Sequence, residues 1–415
     1  MEMENDTDIA NGLSRVAGRV RALAETCQFG FWFITDLHVP SNLGRSGGML
    51  ARLIGETGMR HVVSGGDIPE AFGDRAALDG AIARYRAGWV APIEGAGGIL
   101  LPLHGNHDFT TRDAPDATTG FTYPQRETRA MVLDTAAVRC GAVADPSSCA
   151  CYLDCSEARV RLVGVDTHDV VDQSRQYWGV ADGISPAQFA WLRDVAFGTL
   201  PDGWRAVVAS HAPFAGVAAT EEERAMFAPL CEMLAQYAAA GRVPLAISGH
   251  HHGERQSRVG GIWHVTEPCD AAYLDYIHGS QPWVRDLPEK KPGTLAGQTF
   301  DAVQLDFGRG LAHFTRVGGG ADRTLHLAPL EVQAGGTLAL SPQVVAGPAE
   351  WGCHDAASCT KVPNPARKYD YFYEYSSLVA DVGRDGVLAA KAPGSAVAVA
   401  TAADGTREYF PVEVV

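Results

Sequence analysis

Five short clusters rich in Asp, Asn and His constrain this 415-residue chain more than any other feature. They are Asp36-Leu37-His38, Gly66-Asp67, Gly105-Asn106-His107-Asp108, Ser210-His211 and Gly249-His250-His251-His252. Each follows an apolar, β-branched run, which places each cluster where a strand ends and a loop begins. Open α/β sheets gather ligands outside the carboxyl ends of their strands, so all five are expected at one crevice. Carboxylates, imidazoles and one carboxamide, with no thiolate, suit hard or borderline divalent metals.

Charge narrows the partners. The formal net charge is −15, from 34 Lys+Arg against 49 Asp+Glu, and no Lys/Arg-rich run occurs. An acidic surface repels phosphate backbones at long range, so nucleic acid is not expected as a main partner. A small anionic substrate is compatible with it, because bound cations dominate the field of their own site. Residues 1–28 carry the stripe Ile9, Leu13, Val16, Val20 and Leu23, one face of an amphipathic helix and not a secretory apolar core. No run of about eighteen apolar residues suggests a transmembrane segment. The nine cysteines form no zinc spacing and read as disulfides if the protein is exported, as buried thiols otherwise.

Strands are expected at 29–35, 61–64, 99–103, 160–165, 206–209 and 245–248, with helices near 49–56 and 75–89 between them. That alternation is the doubly wound α/β pattern. Residues 110–155 interrupt it with Pro, Thr, Asp and a Cys cluster, and read as an insertion beside the site. Strands near 261–265, 300–306 and 311–316 complete a second sheet. Gly318-Gly319-Gly320 reads as a hinge, followed by an independent all-β unit at 325–415 that is poor in chemistry-bearing residues.

Asp36 and His38 are two apart, as are His250 and His252, so on an extended segment each pair projects to one side. Ionised Asp67 has two acceptor oxygens and can bridge two cations, while Asn106 offers a neutral carbonyl and His211 an imidazole. His104 reads as a core or supporting histidine, and Asp166-Thr167-His168-Asp169 as loop polar residues on the same side. Tyr177 and Trp178 are either core aromatics or a stacking wall.

Asp-x-His, Gly-Asp, Gly-Asn-His-Asp, a single His and Gly-His-x-His, in this order, resemble the calcineurin-like metallophosphoesterase family over residues 29–318. Gly183-Ile184-Ser185-Pro186, Gln188 and Trp191-Leu192 are similar to a stretch that often precedes the single-His strand. The resemblance implies a four-layer α/β/β/α sandwich and a dinuclear metal site that hydrolyses a small phosphodiester or phosphomonoester. One ion would take Asp36, His38, Asp67 and His252, and the other Asp67, Asn106, His211 and His250. Two divalent ions (Mn, Fe or Zn) would activate a bridging hydroxide and stabilise an in-line displacement. His107 would protonate the leaving oxygen, with Asp108 orienting its imidazole. The stretch Gly66 to Glu70 has no Tyr where purple acid phosphatases carry their iron-binding phenolate, so ordinary divalent metals are favoured.

The C-terminal segment resembles a group 2 bacterial immunoglobulin-like domain in Glu374-Tyr375-Ser376-Ser377, Val379 to Val382, Asp385-Gly386-Val387, Ala392 to Ala396 and Ala403-Asp404-Gly405. Such modules are spacers or adhesive units, which leaves room for cell-surface or carbohydrate contact. Two rivals accompany the phosphoesterase reading. One is a nuclease or protein phosphatase on the same fold, which would need a basic groove. The other is a cell-surface binding protein with a degenerate catalytic domain, which would not need the full ligand set and His107. An immunoglobulin-like module points outward and the missing signal peptide inward, so the sequence leaves the compartment open.

Overall fold

The computed structural model describes residues 6–38, 43–69, 71–72, 74–108, 111–112, 123, 125–169, 183–216, 221–270, 293–363 and 371–415. Two mixed sheets face each other. The first runs, strand by strand, Glu350–His354, Gly394–Thr401, Arg407–Val414, Arg323–His326, Leu311–Gly318, Thr299–Asp306, Phe29–Ile34, His61–Ser64 and Ile99–Pro102. The second runs Arg255–Val259, Ile262–Thr266, Leu245–Ser248, Arg205–Ser210, Val160–Val165, Cys151–Cys155 and Val143–Ala144.

Period-two side-chain alternation explains why these strands are apolar on both faces. In Phe29–Ile34, Phe29, Phe31 and Phe33 point into the core between the sheets. Trp32 and Ile34 point outward, under the helices Asp6–Ala24 and Leu43–Thr57. The second sheet repeats the division. Val207, Ala209, Leu245 and Ile247 meet the first sheet, whereas Ala206, Val208 and Ala246 pack with Leu192, Leu230 and Leu234 of the outer helices. The N-terminal helix buries Ile9, Leu13, Val16 and Val20, four of the five stripe positions.

The parallel pairs Phe29–Ile34 with His61–Ser64 and His61–Ser64 with Ile99–Pro102 send three strand ends to one edge of the first sheet. Parallel pairing of Arg205–Ser210 with both Val160–Val165 and Leu245–Ser248 does the same in the second. The loops that carry the chemistry therefore share one side.

Three expectations need correction. The Cys cluster is not part of an insertion: Cys151–Cys155 pairs antiparallel with Val160–Val165, and Cys149, Cys151 and Cys155 are buried. Of the two readings left open for the nine cysteines, disulfides or thiols, the structure has free thiols throughout. Gly318-Gly319-Gly320 is no hinge. Gly318 has φ +88°, and a Cβ there would lie 2.0 Å from the Gln298 carbonyl oxygen, so the backbones touch. Gly319 N–H donates to that same carbonyl at 2.8 Å.

The segment after it is all β, but it does not stand apart. Arg323–His326 pairs with Leu311–Gly318 and lies parallel to Arg407–Val414, which carries the first sheet onward. Tyr409, Val397 and Val399 enter the core between the sheets. Their opposite-facing neighbours Ala398, Phe410 and Val412 build a smaller core with Leu388 and Ala380. Among the described residues, no helix is long and apolar enough to cross a membrane. Tyr177 and Trp178 lie outside the described residues.

Buried neutral histidines give the fold an acid limit. Burial pushes His264 and His354 down to about 4 from an ordinary 6.5. Both stay uncharged when folded but protonate when unfolded, so stability is full above pH 6.5 and is lost as pH falls towards 4. Each shift is worth about 3 kcal/mol at the acid end. His354 Nε2 donates to the Gln256 carbonyl at 3.2 Å, a bond a glutamine can keep. Thermal melts between pH 7 and 4 should therefore show a shallower loss of stability for His354→Gln than for wild type, and equal slopes would refute the assignment.

Candidate metal centre

Backbone conformation marks the site before any side chain does. Among the described residues six non-glycine residues have positive φ, and five of them are Asp36 (55°), His38 (44°), Asp67 (53°), His250 (68°) and His252 (54°). The left-handed region is disfavoured for residues with a Cβ, and such strain persists only where surrounding structure over-determines it. This revises the expected reason for the i, i+2 pairs. Asp36 with His38, and His250 with His252, converge on successive tight turns and not on extended strand ends.

Close-packed glycines let the turns meet. A Cβ on Gly105 would sit 2.3 Å from both the amide nitrogen and Oδ1 of Asp67. One on Gly249 would sit 2.1 Å from Thr35 Oγ1 and 2.5 Å from Asp36 Oδ2. Backbone amides complete the wiring: His38 N–H donates to the Asp67 carbonyl at 3.0 Å, and His250 N–H to Asp36 Oδ2 at 3.0 Å.

The seven expected ligand residues come together in two groups. In the first, Asp36 Oδ1 lies 3.2 Å from His252 Nε2 and 3.7 Å from His38 Nε2, and the two imidazole nitrogens are 3.2 Å apart. In the second, Asp67 Oδ2 lies 3.2 Å from His211 Nε2. Asn106 Oδ1 lies 3.1 Å from His211 Nε2 and 2.9 Å from His250 Nδ1. Asp36, His38 and His252 offer donor atoms within 4.8 Å of one another, and so do Asp67, His211 and His250. Asp67 also reaches the first group, with Oδ2 4.0 Å from His38 Nε2.

Electrostatics fit a cation. Asp36 and Asp67 are 0% and 1% exposed, and among the described residues no Lys or Arg forms an ion pair with either. Asp36 Oδ1 is buried without a hydrogen-bond partner. Burial alone would raise both carboxyls, but His252 and His211 outweigh it at Asp36, and His211 and His107 at Asp67, so both fall below the usual range. Burial opposes charge on His211 too, yet Asp67 and Asp36 push it up to about 10. Among the described residues imidazoles alone face these anions, and a bound metal would take over that role by displacing any protons they carry. Hard and borderline oxygen and nitrogen donors, with no thiolate in either group, match divalent cations.

His107 is 11% exposed at its side chain, with Nε2 3.8 Å from Asp67 Oδ2 and its ring 5.0 Å from that of His38. It borders the same donor atoms and is partly exposed. Asp108, beside it in the chain, braces the backbone of the site. Its carboxylate accepts the amides of Asp67 (3.0 Å), Ile68 (2.7 Å) and Gly105 (2.8 Å), which locks two of the turns together. Buried backbone donors must be satisfied, and the carboxylate lies among three of them. Burial, then the nearby Asp67 charge, raises it to about 6.

One element is closer to the site than the sequence suggested. His168 is buried, with its ring 5.4 Å from that of His211 and 6.1 Å from that of His250. Thr167 Oγ1 accepts the Ala212 amide at 3.1 Å, and Asp166 accepts His104 Nδ1 at 3.1 Å. The signal was present: Asp-Thr-His-Asp follows a strand of the same sheet as His211.

Comparisons with known proteins agree with this picture. The model of the calcineurin-like phosphoesterase family matches residues 29–254. No curated protein matches. The structure is similar to GAP50, the anchor in the inner membrane complex of Plasmodium, at 12% identity over 69% of this chain and 84% of that one, with a TM-score of 0.40. It is similar to phosphopantetheinyl hydrolase from Mycobacterium tuberculosis at 11% identity over 59% and 91%, with a TM-score of 0.32. Vacuolar protein sorting 29 from Cryptosporidium parvum aligns at 11% identity over 69% and 90%, with a TM-score of 0.25. At this level of likeness the three structures say nothing of activity. The family match spans more than half of the chain and takes in every strand that ends at the cluster, so this protein belongs to the calcineurin-like phosphoesterase family, a superfamily of metal-dependent phosphoester hydrolases.

Proposed function

We propose that the chain hydrolyses a small phosphate ester, a phosphodiester or phosphomonoester, at a centre of two divalent ions. The observation that carries this reading is the pair of buried carboxylates that, among the described residues, face imidazoles and no Lys or Arg. Asp36, His38 and His252 would hold one ion and Asn106, His211 and His250 the other, with Asp67 shared. Mn, Fe and Zn all suit this donor set. Two such ions supply an activated water and offset charge on the phosphoryl oxygens.

The chain's own residues do the rest. Five strained residues on three loops fix donor directions in advance, so little reorganisation is needed when substrate arrives. Asp108 holds the Asp67 and Gly105 turns in register. His107, partly exposed beside Asp67, would hand a proton to the departing alkoxide. His168 closes the wall beside His211 and His250 and limits the space there. The net charge of −15 weighs against a polymeric nucleic acid as substrate. The C-terminal unit keeps its immunoglobulin-like reading on its motifs.

Three outcomes follow from metal-stripped protein reloaded with single metals and assayed on mono-, di- and cyclic esters. Activity should depend on added metal. Asp67→Ala should abolish it while leaving circular dichroism unchanged, and a fully active Asp67→Ala protein would refute the shared-ligand role. His107→Ala should cost about 10²–10⁴ in rate for esters of poor leaving groups and little for nitrophenyl esters, whose leaving group needs no proton. Equal losses on both substrate types would remove His107 from that role.

A further inference from the structure

The loop His250 to Glu254 is strained twice, at His250 and His252, and needs restraint at both ends. Its first end is tied to the centre itself, by Gly249 N–H to the His211 carbonyl at 2.9 Å and His250 N–H to Asp36. Its second end is tied to the C-terminal unit. Glu254, two residues past His252, is buried and lies 2.6 Å from Arg407 Nη1 on the strand Arg407–Val414. Its other oxygen lies 2.6 Å from Arg316 and 3.2 Å from Arg323. Asp301 and Glu267 complete the cluster, three carboxylates against three guanidiniums, all buried.

The strand that follows, Arg255–Val259, is the edge of the second sheet. The C-terminal unit grips it at two further points: His354 Nε2 donates to the Gln256 carbonyl at 3.2 Å, and Arg258 pairs with Glu413 at 3.0 Å. An adhesive spacer has no need of buried charge reaching into a neighbouring active-site loop.

We infer that Arg407 is a positioning residue for the metal centre: through its ion pair with Glu254, the C-terminal unit holds the His250–His252 turn in ligand geometry. The inference rests on the two-metal reading above. Arg316 and Arg323 reach the same carboxylate, but from strands 311–318 and 323–326; only Arg407 brings the far strand to it. Supporting groups around metal ligands typically carry a 10–100-fold effect on metal affinity or activity.

The test is calorimetric titration of the full, metal-stripped chain with Mn²⁺ and Zn²⁺, with thermal melts of each metal-free protein. Wild type should take up two ions; uptake of none would sink the two-metal reading itself, before any variant is compared. Arg407→Gln should bind one ion tenfold or more weakly, and Arg407→Lys should recover part of that loss. Arg258→Gln, which breaks only the outer pair to Glu413, should lower the melting temperature and leave affinity unchanged. If Arg407→Gln does not fold, the charge-balanced variant Glu254→Gln/Arg407→Gln replaces it, with the same tenfold expectation. Wild-type affinity in a folded Arg407→Gln or double variant overturns the inference, as does an equal loss of affinity in Arg258→Gln.

Discussion

Two carboxylates taken out of water set the terms for this molecule. Asp36 and Asp67 lie at the ends of neighbouring parallel strands, and among the described residues neither has a guanidinium or ammonium in reach. An unpaired buried carboxylate costs several kcal/mol, so something has to answer that charge. Four imidazoles surround them, close enough to share protons or, in a metal-dependent family, cations. Two residues past His252, at Glu254, the contrary solution begins. Asp301, Glu254 and Glu267 are just as buried, yet three arginines neutralise them within the chain. One cluster is closed and the other is open to a ligand.

The contrast separates scaffold from chemistry. The closed cluster draws on the strands Thr299–Asp306, Leu311–Gly318, Arg323–His326 and Arg407–Val414, and on the loop leaving His252. It welds the second sheet's edge to the extended first sheet. The open cluster draws on loops alone, and those of Asp36 and His38, of Asp67, and of His250 and His252 bend through the left-handed region. Rigid sheets make that strain tolerable, because the strands on either side leave the turns no room to relax.

Much of this was legible in the sequence, for physical reasons. Strands buried on both faces must be apolar throughout, so Phe29–Ile34 and Val160–Val165 announce themselves. The donors Asp36, His38, Asp67, Asn106, His211, His250 and His252 stand out because chemistry restricts their types. Other features have no such signature. Positive φ at Asp36 or His252 cannot be read from a residue that is there for its donor atom. Asp108 looks like a partner for the histidine beside it, and nothing local says that it also accepts the amides of Asp67 and Ile68, some forty residues away. Arg316, Arg323 and Arg407 look like solvated strand residues, since the sequence does not say which face of a strand is covered. Pairing of Arg323–His326 with Arg407–Val414 is a long-range parallel register, and local turn signals around Gly318 do not encode it.

The closed cluster also has an order in time. Glu254, Glu267 and Asp301 emerge from a ribosome before any of their arginines, and Arg407 comes last, after the whole stretch that folds between residues 330 and 400. Until that strand is delivered, Arg323–His326 has an unpaired edge and the carboxylate behind His252 lacks its third counter-charge. Long-range contacts of this kind form late because loop closure must precede them. Translation thus withholds the final clasp, so a half-made chain with every donor residue already synthesised still lacks the grip that completes them.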